Sequence, residues 1–191
     1  MTPKEFIVVG GPNGAGKTTF AEEYASHHGF TYVSADAIAA RLSPDNPALA
    51  QLAAGREVLA RIKQALAGAE SFVAESTLAG RTFQRILRDA KTMGFRVTIV
   101  YLFMDSPDAC LERVHRRVQK GGHPVPEADV RRRFTRSILN FCRVYRPLSD
   151  HWVLMYNGAS QPQDAAFGTA THISIRDAEL WALFQRLIEP S

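Results

Sequence analysis

A glycine-rich segment near the start of the chain carries the clearest chemistry in the sequence. It runs from Gly11 to Thr18 and fits the pattern G-x-x-x-x-G-K-[ST] of a phosphate-binding loop. An apolar run at residues 6–9 precedes it, and a helix-forming stretch follows. Glycines let backbone N–H groups converge on a polyphosphate, and the N-terminal end of the following helix adds positive potential. The pattern therefore predicts that the chain binds a nucleoside triphosphate.

Two side chains of this segment are of types that act on phosphates. We expect Lys17 to contact the β- and γ-phosphates and the Thr18 hydroxyl to bind Mg²⁺. The predicted cofactors are therefore ATP or GTP, together with Mg²⁺. The predicted nucleotide-binding residues are Gly11, Pro12, Asn13, Gly14, Ala15, Gly16, Lys17, Thr18 and Thr19.

Acidic residues follow two other predicted strands. Ligands of a parallel sheet bind beyond the carboxyl ends of its strands, so these positions are functional candidates. Asp36 follows the second strand, and an aspartate with an ordinary pKa of about 3.9 is ionised at neutral pH. We predict that Asp36 is catalytic, because it can accept the proton of an acceptor hydroxyl or orient that group. Its alternative role is to cap the helix that follows.

Glu75 ends the third predicted strand. This carboxylate is predicted to bind Mg²⁺, directly or through water, or to contact the acceptor. Thr77 and Arg81 follow closely and are predicted to bind phosphate or hydroxyl groups of the acceptor. The alternatives are a solvated strand end for Glu75 and an ordinary surface residue for Arg81.

The positive charge of the chain is unevenly distributed. The sequence has 23 Lys and Arg against 19 Asp and Glu, and arginines concentrate in two predicted helices joined by a glycine–proline turn. This arrangement, over about residues 107–146, predicts a lid that closes on the γ-phosphate and excludes water. Arg113 and Arg117 are the predicted catalytic arginines. Arg132 and Arg133 are predicted to bind the substrate.

The alternatives for this basic segment are a solvated face and nucleic-acid binding. The aromatic residues nearby, Phe134, Phe141 and Tyr145, share the apolar stripe of their predicted helix. They are therefore expected in the core, where they cannot serve as stacking platforms for bases. A nucleic-acid partner is not expected.

The order of predicted elements indicates a doubly wound α/β fold. Strands are predicted at residues 6–9, 31–34, 71–75, 96–103 and 152–156, with a further edge strand at 172–175. Helices are predicted at 18–27, 56–67, 81–93, 107–119, 127–145 and 177–188. The segment 158–168 is predicted to be a loop. We therefore expect one P-loop NTPase domain over residues 1–191. Its sheet would have five to six strands, mostly parallel, with helices on both faces and an arginine-bearing helical lid.

Composition predicts a cytoplasmic protein. Hydrophobic residues make up 46% of the chain and charged residues 22%, as in soluble globular proteins. No apolar run approaches the ~20 residues that span a bilayer, so no membrane partner is expected. The first five residues lead directly into a strand, which leaves no room for a signal peptide. The two cysteines, Cys110 and Cys142, are expected to be thiols in a reducing compartment.

The amino-acid sequence of the glycine-rich segment also resembles the nucleotide-binding loop of ABC transporter ATPases. That resemblance ends with the loop, because the chain contains no L-S-G-G-Q motif. A transporter motor needs this motif to complete the site of its neighbour. The ABC transporter interpretation is therefore excluded.

Over most of its length the chain resembles the small, stand-alone branch of the zeta-toxin family of P-loop kinases. The resemblance rests on the phosphate-binding loop, Ser34-Ala35-Asp36, Glu75-Ser76-Thr77 and the segment 121–127. It implies transfer of phosphate to the 3′-hydroxyl of UDP-N-acetylglucosamine, toxicity, and a separately encoded antitoxin partner. It also implies that Asp36 is the catalytic aspartate.

Two positions depart from the pattern of that family. His123 stands where better-known toxins carry a lid arginine, and it is predicted to contact the substrate. The arginine after the Glu-x-Thr element is shifted to Arg81. These departures affect the predicted identity of the acceptor more than the predicted reaction. A UDP-sugar is the first acceptor that we expect. The alternatives are a polynucleotide or nucleoside kinase, and a non-catalytic binding module gated by nucleotide.

Overall fold

The computed structural model describes residues 3–34, 38, 42, 51–122 and 124–189. The predicted catalytic residue Asp36 and the predicted substrate contact His123 lie outside these described residues. Among the described residues, no helix is both long and apolar enough to cross a membrane.

The described residues contain seven strands that form one sheet, in the order β2-β3-β1-β4-β5-β6-β7. The first five pair in parallel and the last two in antiparallel orientation. The strands are β1 (Glu5–Gly10), β2 (Thr31–Val33), β3 (Phe72–Ser76), β4 (Arg96–Phe103), β5 (His151–Tyr156), β6 (Gln163–Gly168) and β7 (Ile173–Ile175). The predicted α/β fold with a mostly parallel sheet is confirmed, but the sheet has one strand more than the upper limit predicted.

The additional strand is β6, which lies in the segment predicted to be a loop. Four of its six residues are Asp, Ala or Gly, types that are depleted in strands, and Phe167 is its one aromatic residue, so its own composition carries little strand propensity. It forms because β5 offers a free edge, with Trp152 opposite Gly168 in the antiparallel register. Ala165 and Ala166 of β6 are fully buried against the core. Such a strand forms because of its pairing with β5 and its packing against the core. Local strand propensity cannot predict it.

Within the described part of the chain, six α-helices have defined bounds, and the last of them follows the final strand. They are α1 (Lys17–His28), α2 (Gln51–Ala67), α3 (Thr82–Thr92), α4 (Pro107–Gln119), α5 (Glu127–Asn140) and α6 (Ala178–Ile188). Helix α4 begins as predicted, because the Ser106 hydroxyl accepts a hydrogen bond from the Ala109 N–H and Pro107 occupies the first helical position.

The predicted helix over 127–145 changes its winding near its end. After α5 the chain forms a π-helical turn, Phe141–Tyr145, and then a 3₁₀ turn, Arg146–Leu148. Such π-turns are rare and are often found at functional sites. The wider turn places Phe141 in the core, where its ring stacks on Tyr101 of β4 at 4.3 Å.

Strand β1 occupies the centre of the sheet, between β3 and β4. Four consecutive residues, Phe6 to Val9, are at most 2% exposed. Successive side chains of a strand point to opposite faces of a sheet, so both faces are covered here. The phosphate-binding loop therefore leaves a rigid central strand at its carboxyl end, the edge at which ligands of such folds bind.

Candidate active site

The phosphate-binding loop is a tight turn between β1 and α1 that two glycines make possible. Gly14 and Gly16 have φ angles of +81° and +84°, a conformation that side chains disfavour. A Cβ at Gly14 would also collide with the Cys110 carbonyl group, and one at Gly16 with the amide of Asn157. Neighbouring elements thus close around the loop, and only glycine fits at both positions.

Lys17 folds back over this loop. Its ammonium group donates a 2.8 Å hydrogen bond to the Pro12 carbonyl, and the Ala15 N–H approaches the same oxygen at 3.3 Å. The positive charge of Lys17 therefore lies across the turn whose backbone N–H groups are expected to face phosphates.

Glu75 joins three elements at the carboxyl edge of the sheet. Its two carboxylate oxygens accept hydrogen bonds from Thr18 and from Ser34, both at 2.9 Å. The strand register explains this meeting: Val9 lies opposite Glu75, and Val33 lies opposite Ala74. Thr18 and Glu75, which the sequence predicts to be magnesium ligands, are thus brought together. Ser34 is not among the predicted site residues, although its position directly after β2 identifies it as a candidate.

The Tyr32 ring lies beside the same carboxylate. Burial raises the pKa of the Tyr32 phenol, and the negative charge of Glu75 raises it further. The Tyr32 phenol is therefore neutral at physiological pH.

The oxygen atoms of this cluster suit a hard cation. Mg²⁺ prefers oxygen ligands and is usually held by one or two protein groups together with substrate phosphates. Thr18 and Glu75 supply such groups at the mouth of the loop. Among the described residues there is no cluster of three or more His, Cys, Asp and Glu side chains able to hold a metal ion.

The segment after β3, from Thr77 to Gly80, is held by α5 and the π-turn. Its three carbonyl groups at 77, 78 and 80 accept hydrogen bonds from Ser137, Asn140 and Tyr145, respectively. The bond from Asn140 to Leu78 is 2.9 Å long, and that from Tyr145 to Gly80 is 2.6 Å long. The predicted acceptor residues Thr77 and Arg81 therefore flank a segment that the second helix of the predicted lid positions.

Leu78 adopts an unusual backbone conformation within that segment. Its φ is +54°, in the left-handed region, and its side chain is 1% exposed. A residue other than glycine in this region carries strain of order 1 kcal/mol, which the surrounding contacts must offset. Backbone strain of this kind is frequent at binding sites, where the chain must present groups in one geometry.

The two arginines predicted to be catalytic line one groove. Arg113 and Arg117 border a cavity of about 550 Å³. The remaining lining residues are Arg116, Lys120, Gly121 and Gly122. A guanidinium nitrogen of Arg113 lies 4.0 Å from the point where a Cβ of Gly16 would stand, so this arginine reaches the phosphate-binding loop.

Cys110 lies beneath the same region, with its backbone against Gly14. Burial raises the pKa of the Cys110 thiol to about 12, although the positive charges of Lys17 and Arg113 act in the opposite direction. The thiol is therefore protonated at neutral pH and serves as packing.

Arg132 and Arg133 do not line the groove. Both pair with Asp129 of their own helix, at 2.7 Å and 3.3 Å. The hydrogen bond from Arg132, with the charge of Arg133, lowers the pKa of the Asp129 carboxyl below its usual value. The structure thus separates these two predicted substrate contacts from Arg113 and Arg117.

Sequence reasoning did not select the residues that end β5. The Asn157 amide donates a 2.8 Å hydrogen bond to the Ala15 carbonyl of the phosphate-binding loop. The Tyr156 hydroxyl contacts both carboxylate oxygens of Asp105, at 2.8 Å and 2.9 Å. The only signal for these residues was their position after a parallel strand, the rule that led to Asp36 and Glu75.

Comparison with protein families decides the family of this domain. The AAA domain family AAA_33 matches residues 6–136, which is more than half of the chain. The chain belongs to this family. An uncharacterized protein of Haemophilus influenzae is 32% identical to this chain over 124 residues, covering 65% of the chain and 88% of that protein.

Solved structures show that this AAA_33 member has the fold of P-loop kinases. The AvrRxo1-ORF1:ORF2 complex matches with a TM-score of 0.76 and 18% identity, covering 99% of this chain and 65% of that chain. The PezAT toxin–antitoxin system of Streptococcus pneumoniae matches with a TM-score of 0.66 and 13% identity, covering 100% and 81%. A gluconokinase from Sinorhizobium meliloti matches with a TM-score of 0.53 and 21% identity, covering 97% and 94%.

Proposed function

We propose that this protein is a phosphotransferase that moves the γ-phosphate of ATP or GTP to a hydroxyl group of a small acceptor. One observation carries the proposal. At the carboxyl edge of the sheet, the Thr18 hydroxyl donates a hydrogen bond to Glu75, and a guanidinium nitrogen of Arg113 lies beside Gly16 of the phosphate-binding loop. A carboxylate, a hydroxyl and a cation around such a loop are the parts that a phosphoryl donor site needs.

The nucleotide would be bound chiefly by the loop. Its backbone N–H groups and the N-terminal end of α1 would hold the phosphates. Lys17 would exchange its bond to Pro12 for the β- and γ-phosphates. Thr18 and Glu75 would hold Mg²⁺, with Glu75 acting directly or through water. Mg²⁺, when bound, neutralises charge on the phosphates.

The arginines would act on the phosphate in transfer. Arg113 and Arg117 share a groove beside the loop, so their charges can stabilise the oxygens of the γ-phosphate. Closure of the part of the segment 107–146 nearest the turn between α4 and α5 would exclude water and limit hydrolysis of the nucleotide, while Asn140 and Tyr145 keep their contacts with the segment after β3. Both arginines proposed to stabilise the γ-phosphate are residues that line the groove.

On the acceptor side, Asp36 is the proposed base, and Thr77 and Arg81 are proposed contacts of the acceptor. His123, Arg132 and Arg133 are proposed to approach it only when the lid closes, since the arginines pair with Asp129 in this structure. The hydrogen bonds from Asn140 and Tyr145 support this assignment, because they hold the backbone between Thr77 and Arg81 in one geometry.

UDP-N-acetylglucosamine is the first acceptor to test, because the sequence resembles zeta toxins and the fold matches that of the PezAT system. A toxic activity and a separately encoded antitoxin belong to the same proposal. Gluconokinase, another structural relative, is named for a different hydroxyl acceptor. The acceptor panel must therefore include sugar acids as well as UDP-sugars.

A transfer assay tests the proposal. Purified protein is incubated with γ-labelled ATP or GTP, Mg²⁺, and a panel of UDP-sugars, gluconate, nucleosides and oligonucleotides. Label is expected in one small acceptor, and Asp36→Asn is expected to abolish transfer with little change in nucleotide affinity. Label in oligonucleotides would favour a polynucleotide kinase. Tight nucleotide binding without any labelled acceptor would favour a binding module.

Expression in bacteria tests the toxin part separately. Growth arrest is expected with the wild-type protein and not with Asp36→Asn. Harmless expression of a protein that still transfers phosphate in vitro would contradict toxicity while leaving the kinase proposal intact.

A further inference from the structure

Asn157 connects the end of β5 to the phosphate-binding loop. Its side-chain amide donates a 2.8 Å hydrogen bond to the Ala15 carbonyl across 142 positions of sequence. The Ala15 side chain is fully buried, so the peptide that receives this bond lies in the packed part of the loop.

The bond determines the direction of the next backbone N–H. The peptide between Ala15 and Gly16 is trans, since the described residues contain no cis peptide bond. In a trans peptide the carbonyl and the N–H point in opposite directions in one rigid plane. With the Ala15 carbonyl held by Asn157, the Gly16 N–H points away from Asn157. Backbone N–H groups of this loop are the groups that bind phosphate.

Asn157 is itself anchored on both sides. Its backbone N–H donates to the Phe103 carbonyl at 2.9 Å, which continues the β4–β5 pairing by one residue. The preceding Tyr156 is held through its hydroxyl by both oxygens of Asp105. The position of the Asn157 side-chain amide is therefore fixed by the sheet. The hydrogen bond from this amide can then hold the phosphate-binding loop in place.

The space beside Gly16 is filled by this amide. A Cβ on Gly16 would overlap the side-chain nitrogen of Asn157. Gly16 also has a φ of +84° and precedes the first residue of α1. The Asn157 side-chain nitrogen thus both packs against Gly16 and donates a hydrogen bond to the Ala15 carbonyl, so both contacts act on the Ala15–Gly16 peptide.

We infer that Asn157 is a positioning residue that orients the Ala15–Gly16 peptide so that the Gly16 N–H faces the phosphates of the nucleotide. The inference rests on the proposed function only in taking the loop to bind a triphosphate. It assigns Asn157 no contact with the base, the sugar or the acceptor.

Binding of two ligands distinguishes this role from others. ATP and inorganic tripolyphosphate, both with Mg²⁺, are titrated calorimetrically into wild-type protein, Asn157→Leu and Asn157→Asp. The leucine keeps the branched shape and the number of heavy atoms without a donor, and the aspartate keeps the shape but faces the carbonyl with a negative charge. Loss of one hydrogen bond is expected to raise the Kd of both ligands by the same factor, roughly 3- to 10-fold. Asn157→Asp is expected to weaken both ligands more.

Asp150→Asn is the matched control. Asp150 accepts a 2.8 Å hydrogen bond from the Val97 N–H, so it also joins β5 to β4, but at the opposite edge of the sheet. This variant is expected to lower the melting temperature and leave both Kd values unchanged. Melting curves of all variants show which proteins are folded at the temperature of titration.

Three results would overturn the inference. A weaker affinity for ATP with an unchanged affinity for tripolyphosphate would mean that Asn157 contacts the nucleoside. A lowered melting temperature with both Kd values unchanged in the folded variants would mean a purely structural role. Wild-type protein that binds neither ligand would overturn the proposed function as well, which separates that failure from the other two.

Discussion

The Thr18 hydroxyl donates a 2.9 Å hydrogen bond to the Glu75 carboxylate and so joins the first turn of α1 to the end of β3. The two residues are 57 positions apart, and both lie at the edge of the sheet where the phosphate-binding loop emerges. This hydrogen bond brings together the hydroxyl and the carboxylate that we propose as magnesium ligands.

The charge of Glu75 is expected to matter only when Mg²⁺ is present. Glu75→Gln keeps an oxygen that can accept a hydrogen bond but removes the negative charge. We expect affinity for Mg-ATP to fall about 10-fold or more, as for other charged hydrogen-bonded groups. Affinity for ATP in excess EDTA should change little. Calorimetric titration under both conditions measures the difference.

Glu70→Gln is the control for that experiment, because Glu70 is exposed and precedes the opposite end of the same strand. It should bind Mg-ATP as the wild type does. An equal loss of affinity in Glu75→Gln with and without Mg²⁺ would contradict the assignment to the metal.

Arg113 is expected to act on the transfer step. Arg113→Ala removes the guanidinium that lies beside Gly16, and we expect the rate of phosphate transfer to fall roughly 100-fold. Nucleotide affinity should fall less, because the developing charge is greatest in the transition state. Single-turnover transfer and nucleotide titration separate the two effects. Arg85→Ala is the control, since the Arg85 side chain is 91% exposed on α3 and should leave the rate unchanged. An unchanged rate in Arg113→Ala would remove Arg113 from the mechanism.

Asn140 is expected to support the acceptor side of the site. Asn140→Ala leaves the Leu78 carbonyl without its 2.9 Å donor and should cost about 1–2 kcal/mol in the free energy of unfolding. The KM for the acceptor should rise while the Kd of the nucleotide stays close to the wild-type value. Urea unfolding and steady-state kinetics with both substrates measure these quantities. A rise in nucleotide Kd with an unchanged acceptor KM would place the segment on the donor side instead.

The ion pair of Asp150 and Lys91 predicts a pH-dependent stability. Burial alone would raise the pKa of Asp150, but hydrogen bonds from Lys91 and the Val97 N–H outweigh it, and the pKa is lowered. The charged carboxylate therefore stabilises the fold above the unfolded pKa of about 3.9, and this contribution is lost as the pH falls through the lower folded value.

Asp150→Asn should accordingly be less stable than the wild type at pH 7, by about 0.5–1 kcal/mol, since both side chains are partly exposed. Below about pH 4 the difference should shrink. Urea unfolding at several pH values measures it. A difference that stays constant down to pH 2 would show that the carboxylate charge contributes nothing.

The sequence alone determined the features whose causes are local. The glycines of the phosphate-binding loop, the Ser106-Pro107 start of α4 and the alternation of strands with helices each follow from dihedral freedom, capping and hydrophobic period. Those signals predicted the P-loop fold and the carboxyl edge on which Lys17, Thr18 and Glu75 lie.

Only the tertiary structure decided which distant groups meet. The contacts of Ser34 with Glu75 and of Asn157 with Ala15 depend on strand order and register, and β6 exists because β5 leaves an edge to pair with. The separation of Arg113 from Arg132 likewise depends on how α4 and α5 pack, and on the pairing of Arg132 with Asp129. Period and propensity describe how a segment folds on itself, whereas these contacts are set by packing between segments that are far apart in the chain.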